Sequence, residues 1–130
     1  MQKHIVSHVA IYILSAVMIF FGIYHLKNPK DMMEYVPADL PNPVLWVKIV
    51  GIVFILAAIS FIFNKYAKIA AYLLAAMLLL FAFVVHLDIY RNAGSEEIKV
   101  GALINILKDT ALAAFALHIA GSADSHGIKF

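Results

Sequence analysis

Residues Ala70 to Val85 read AAYLLAAMLLLFAFVV, an unbroken apolar run with no charged residue. With its flanks from Ala67 to Leu87 the run reaches the length of about twenty residues that a helix needs to cross roughly 30 Å of hydrocarbon. It lacks the in-and-out alternation of a barrel strand, and in lipid each backbone amide must find its partner within the protein, which favours helix. Three further stretches share this character: Ile5 to Leu26, Val44 to Phe63 and Val100 to Ala120. They predict an all-α fold, an integral membrane four-helix transmembrane bundle with antiparallel up-and-down order, forming one transmembrane domain over residues 1–130. In the fourth stretch Asn105, Lys108 and Asp109 interrupt the apolar run, so an interfacial amphipathic start is the alternative there.

The whole chain agrees with its decisive segment. Of 130 residues 64% are hydrophobic and 14% charged, with a mean hydropathy of +0.91. A soluble domain carries about a quarter charged residues, so a conventional cytosolic enzyme is excluded. Disorder is excluded too, because a solvated chain needs far less apolar side chain. A net charge of +2 from scattered bases gives no footprint for nucleic acid. With no cysteine, the chain can neither exchange disulfides nor ligate an iron–sulfur cluster through thiolates of its own.

The first apolar run exceeds the roughly 7 to 15 residues of a secretory signal core, and YHLKNP follows it instead of a small-residue cleavage site. It is read as a retained helix. The connection Asn64 to Tyr66 is very short and predicts a tight hairpin between the second and third spans. Lys27 to Pro43 and Asp88 to Lys99 form longer loops on the opposite face. All four prolines fall in or at the edge of the first of these, which predicts a structured, Pro-rich loop packed on the bundle. Lys3, Lys65, Lys68 and Lys129 on the face of the termini balance Lys27, Lys30, Arg91 and Lys99 on the other. The purely basic NKYAK turn, set against loops that dilute their bases with acids, tips the reading to termini inside, in the cytoplasm.

Ionisable side chains within spans are costly and by default mark function. Here they gather towards the face of the long loops. His25 ends the first span, Lys48 lies one turn into the second, His86 and Asp88 close the third, and the fourth holds Asn105, Lys108 and Asp109. Positions 101, 105, 108 and 109 share one helix face, so Gly101 is expected to permit close approach while the polar three point inward. These seven residues are the candidate pocket. The competing reading makes them structural: lysines that snorkel to the interface, or a lysine that neutralises a neighbouring carboxylate.

Six histidines offer other chemistry. His8 with His118, and His25 with His86, form one pair per membrane face, the layout of a bis-histidine haem protein. His8 and His25, however, stand roughly 25 Å apart along a helix, a long step between two haems. His25 and His86 with Asp88 or Asp109 have ligand types suited to zinc, iron or copper, although helix-end histidines more often hydrogen-bond at the interface. His4 precedes His8 by one turn, and His126 lies in a polar tail. Trp46, Tyr24, Tyr35, Tyr66 and Tyr90 fall near span edges and read as an aromatic belt, and the Met32–Met33 pair as lipid or core contacts.

Residues Gly22 to Gly51 read GIYHLKNPKDMMEYVPADLPNPVLWVKIVG. The stretch resembles the DoxX and DoxX-like membrane proteins, whose first helix ends in Gly-x-x-His or Gly-x-x-Lys, followed by a proline and a Val-Pro-x-x-Leu-Pro loop. Gly22, His25, Pro29, Val36, Pro37, Leu40, Pro41 and Gly51 stand at matching positions, and the four-helix layout agrees over nearly the whole chain. His86 is similar to a histidine that relatives carry at the end of the third helix. Phe54 stands where relatives often carry a glutamate, so any chemistry of that carboxylate is missing here. The resemblance implies a bacterial inner-membrane protein associated with redox complexes, and fold-level analogy does not make it an enzyme.

Three functions follow as expectations. The first is a quinone-linked or redox-associated subunit, with His25, Lys48, His86 and Asp109 near the ring carbonyls and Asp88 orienting a histidine. The second is a small carrier or lipid- or anion-binding protein using Lys48, Lys108 and Asp109. A carrier of this size would form a homo-oligomer, since four helices enclose little pore. The third is a non-catalytic assembly subunit of a membrane complex.

Overall fold

A computed structural model describes residues 2–36 and 38–121. Pro37 of the loop motif, the His4 and Lys3 side chains, and the tail with His126 and Lys129 lie outside the described residues. The described chain is helical, with no strand: α1 (Gln2–Lys27), a 3-10 segment (Pro29–Tyr35), α2 (Pro43–Ile62), α3 (Ala67–Leu80), a π-helical turn (Phe81–His86), α4 (Leu87–Arg91) and α5 (Glu96–Gly121). The α3, π and α4 segments run on as one rod, Ala67–Arg91. With α1, α2 and α5 it makes four helices long and apolar enough to cross a membrane.

Local chemistry explains the boundaries. Pro29 cannot continue α1, and the Asn28 amide closes its last turn on the Tyr24 carbonyl at 2.8 Å. Pro43 opens α2 at a position whose missing N–H costs nothing. The α2–α3 turn is made tight by left-handed backbone at Asn64 (φ 53°) and Tyr66 (φ 58°). Asparagine tolerates that conformation readily; tyrosine is held there by the turn.

Three helices are longer than the apolar runs predict: α1 starts at Gln2, ahead of Ile5, and α5 and the third rod gain polar turns. α5 begins at Glu96, four residues ahead of Val100, because Ser95 caps it. The Ser95 hydroxyl oxygen accepts the Ile98 amide at 3.2 Å, and Glu96 and Glu97 complement the helix dipole in the first turn. The third rod extends past Leu87 to Arg91, where Asn92 donates from Nδ2 to the Asp88 carbonyl at 2.9 Å. Hydropathy stops at the last apolar residue; capped polar turns carry α5 and the third rod further.

α1 packs chiefly on α2, and α3 on α5, with α2 meeting α3. One core joins all four long helices, through Ile11, Leu14 and Met18 of α1, Phe54 and Phe61 of α2, Leu74 and Leu78 of α3, and Ile119 of α5. Alanine fills much of the rest, at 57, 58, 71, 75, 113, 116 and 120. Small residues let helix backbones approach one another closely. The outer surface is apolar as well: Phe20, Leu73 and Ile13 are 71%, 64% and 62% exposed.

α1 and α2 approach each other closely at Gly22 and Gly51. A methyl on Gly51 would stand 2.8 Å from the Gly22 carbonyl oxygen and 2.8 Å from His25 Cβ. Gly101, expected to serve close packing, has nothing within 4 Å of such a methyl. That expectation is corrected: Gly101 lies on the exposed side of α5, about 80° from Asp109 by helical geometry.

Candidate functional site

Beyond the apolar core, towards the long loops, two buried polar side chains meet across helices. His86 is 8% exposed and Asp109 5%. The His86 Nε2 lies 3.2 Å from Asp109 Oδ2. The π turn explains how the imidazole comes to face α5. Four α-helical steps of 100° would carry position 86 about 40° past the buried Ala82, and the wider turn, closed by the Leu87 amide on the Ala82 carbonyl, reduces that overshoot. Such π turns recur at functional sites.

Around this pair the contacts are unequal. Lys108 Nζ approaches Asp109 Oδ1 at 3.9 Å and donates to Asn105 Oδ1 at 3.5 Å, and it sits 5.1 Å from the centre of the Phe21 ring. Its side chain is 44% exposed. From the Pro-rich loop, Tyr35 sets its ring at 73° to the His86 ring with centres 5.4 Å apart. The Nδ1 atom of His86 is buried and has no hydrogen-bond partner, a state that normally calls for an explanation.

The seven sequence candidates thus divide. His86, Asp109, Lys108 and Asn105 are brought together. His25 lies in an adjoining aromatic group: its Nδ1 donates to the Phe21 carbonyl at 2.6 Å, and its ring meets Phe54 at 5.6 Å. Phe21 and Phe54 are themselves 6.3 Å apart, so a buried phenyl ring lies beside His25. Lys48 is exposed on α2 with no ion pair to this group. Asp88 is exposed and accepts from Asn92 Nδ2 at 3.0 Å; the carboxylate that orients a histidine is Asp109. Lys108 points outward while Asp109 points inward, because adjacent helical positions are about 100° apart.

Sequence reasoning missed Tyr35, read as a belt residue. Nothing local marks it, since its partner lies on another helix 51 positions later. Among the described residues no group of three His, Asp or Glu side chains is placed to hold a metal ion, so the His25, His86 and Asp combination is not assembled. Near the α2–α3 turn a separate cavity of about 100 Å³ is lined by His8, Ile11, Tyr12, Phe61, Asn64, Ala67 and Ile119, room for about three waters. His118 is exposed.

The family model for DUF8561, a domain of unknown function, matches residues 14–120. The chain belongs to this family. The match takes in the second half of α1 and all of α2 to α4, with α5 as far as Ala120, so His86, Asp109, Lys108, Asn105 and Tyr35 all lie within the DUF8561 region. No curated protein and no solved structure matches the chain. For this DUF8561 member, function must be sought in the site itself.

Proposed function

We propose that this protein is a multi-pass membrane protein, DoxX-like, that serves as a quinone-linked subunit of a membrane redox system, with its ligand site at His86 and Asp109. The apolar outer surface supports residence in lipid, since four helices that are apolar on every side have no stable place in water. In this reading the helices run antiparallel and up-and-down through a bacterial inner membrane. Asn64 to Tyr66 and both termini face the cytoplasm, following the basic NKYAK turn. Partner subunits of a redox complex, or a second copy of the chain, would pack on the apolar exterior.

The observation that carries the quinone reading is the unpartnered, buried Nδ1 of His86. An imidazole held by a carboxylate on one nitrogen offers the other to a ligand in a fixed direction. Phe21, Phe54 and Tyr35 supply apolar and aromatic surface nearby, as a ring-shaped ligand requires. A quinone bound there would supply two-electron redox chemistry; His86 would hold its polar edge, Asp109 would keep the imidazole in register, and Tyr35 would limit access from the aqueous face. The anion-carrier reading has less support, because Lys108 is already engaged by Asp109 and Asn105 while Lys48 stands away on the surface of α2.

Purification in mild detergent followed by solvent extraction tests this reading. Wild-type protein is expected to retain quinone at near-stoichiometric amounts, and a folded His86→Phe variant to lose it. Protein that neither retains nor binds quinone, and whose deletion leaves quinone-dependent respiration unchanged, overturns the proposal.

A further inference from the structure

Resting on that reading of the site, we infer that the ligand meets His86 as a hydrogen-bond donor. It presents a hydroxyl, of the phenolic kind carried by the reduced quinol form, rather than a carbonyl. Asp109 Oδ2, 3.2 Å from Nε2, belongs to a carboxylate, which when ionised only accepts. The hydrogen therefore sits on Nε2.

Charge balance then decides the other nitrogen. Lys108 Nζ lies 3.9 Å from the second carboxylate oxygen and supplies the positive partner for Asp109. A neutral imidazole leaves the trio of Asp109, Lys108 and His86 with no net charge. A doubly protonated one would put an N–H at the buried Nδ1 with no acceptor and set a second cation beside the Lys108 ammonium on one carboxylate, which is costly. The remaining contacts add no charge: Tyr35 presents an aromatic ring and Asn105 an amide. Nδ1 is then a bare lone pair, buried and unpartnered. It attracts a hydroxyl hydrogen and repels a carbonyl oxygen.

Tyr35 shows what shape fits there. Its phenol ring already rests against the imidazole at 5.4 Å without bonding to Nδ1. It ends a 3-10 segment tied back to α1 where the Tyr24 hydroxyl donates to Asp31 Oδ2 at 2.9 Å. A ligand ring that took the place of Tyr35 would keep the aromatic contact and add the missing hydrogen bond.

The test uses full-length protein in phosphatidylcholine nanodiscs, titrated anaerobically with a short-chain benzoquinol and with the matching quinone. The quinol is expected to bind about tenfold more tightly, the scale of one buried hydrogen bond made or left unmade. His86→Phe should erase the preference. Imidazole nitrogen-15 NMR of the unaltered protein provides a readout independent of any variant, with His86 expected to show a protonated Nε2 and a bare Nδ1. Equal binding of the two forms, tighter quinone binding, or a protonated Nδ1 overturns this inference while leaving a quinone site standing. Binding of neither form instead overturns the functional reading beneath it. Diacylglycerol is the competitor that separates a phenolic from a lipid hydroxyl. If it displaces the quinol equally well through His86, the assignment to a quinol fails.

Discussion

Substituting Gly51 by alanine places one methyl group where α1 and α2 approach closely. That methyl would lie 2.8 Å from the Gly22 carbonyl oxygen and from His25 Cβ, about 0.6 Å inside the 3.4 Å at which ordinary contact begins. Neither neighbour is the free end of a flexible side chain; one is backbone and the other is the root of a histidine held by the Phe21 carbonyl. Relief therefore requires the helices to part. Overpacking of this kind costs about 1–3 kcal/mol, and the better helix propensity of alanine returns at most about 1 kcal/mol. A net loss of about 1 kcal/mol, and no more than about 2 kcal/mol, is expected. Trp46, the single tryptophan, sits on the same helix five positions earlier and reports unfolding by fluorescence as SDS is titrated into mixed micelles. Gly101→Ala is the control: with nothing within 4 Å, it should unfold at or slightly above the wild-type SDS fraction. If Gly51→Ala unfolds together with Gly101→Ala, the close crossing of α1 and α2 is wrong.

Other perturbations address the polar site and the topology. Asp109→Leu leaves the buried Nε2–H of His86 without an acceptor and should cost about 2–3 kcal/mol in the same assay. The double variant His86→Phe/Asp109→Leu should recover most of that loss, and additive losses would show that the pair is not coupled. Tyr35→Ala should speed modification of His86 by diethyl pyrocarbonate several-fold, read by peptide mass spectrometry; an unchanged rate would mean that Tyr35 does not cover the imidazole. Because the chain has no cysteine, Asp39→Cys and Lys65→Cys can be labelled singly with an impermeant maleimide. Residue 65 is expected to react only from the cytoplasmic side and residue 39 only from the other, and reaction of both from one side contradicts the up-and-down order.

The polar site was only partly legible before the structure. Spacing alone places Asn105, Lys108 and Asp109 near one another on α5 and sets His86 at the end of its run, so four of the seven candidates do converge. Lys48 and Asp88 satisfied the same expectation of depth and charge, yet helical rotation turns both to the surface. The glycine reading failed similarly. Gly101 shares a sequence pattern with the polar face, whereas Gly22 and Gly51 mark a close approach because they face each other where α1 crosses α2.

Sequence by itself determined that this chain is helical and carries four stretches able to span a membrane, because length and apolar content are local properties summed over about twenty residues. Its capping signals, Ser95 before α5 and Asn92 after α4, were equally local, though an apolar count does not weigh them. Which side chains face one another was decided only in three dimensions. The π turn rotates His86 towards Asp109, the loop returns Tyr35 to the imidazole, and two glycines bring α1 and α2 into contact. Helices that are apolar all round have no polar side to betray the direction of their neighbours. Their rotation is set by packing between partners distant in sequence, and that packing assembles the site.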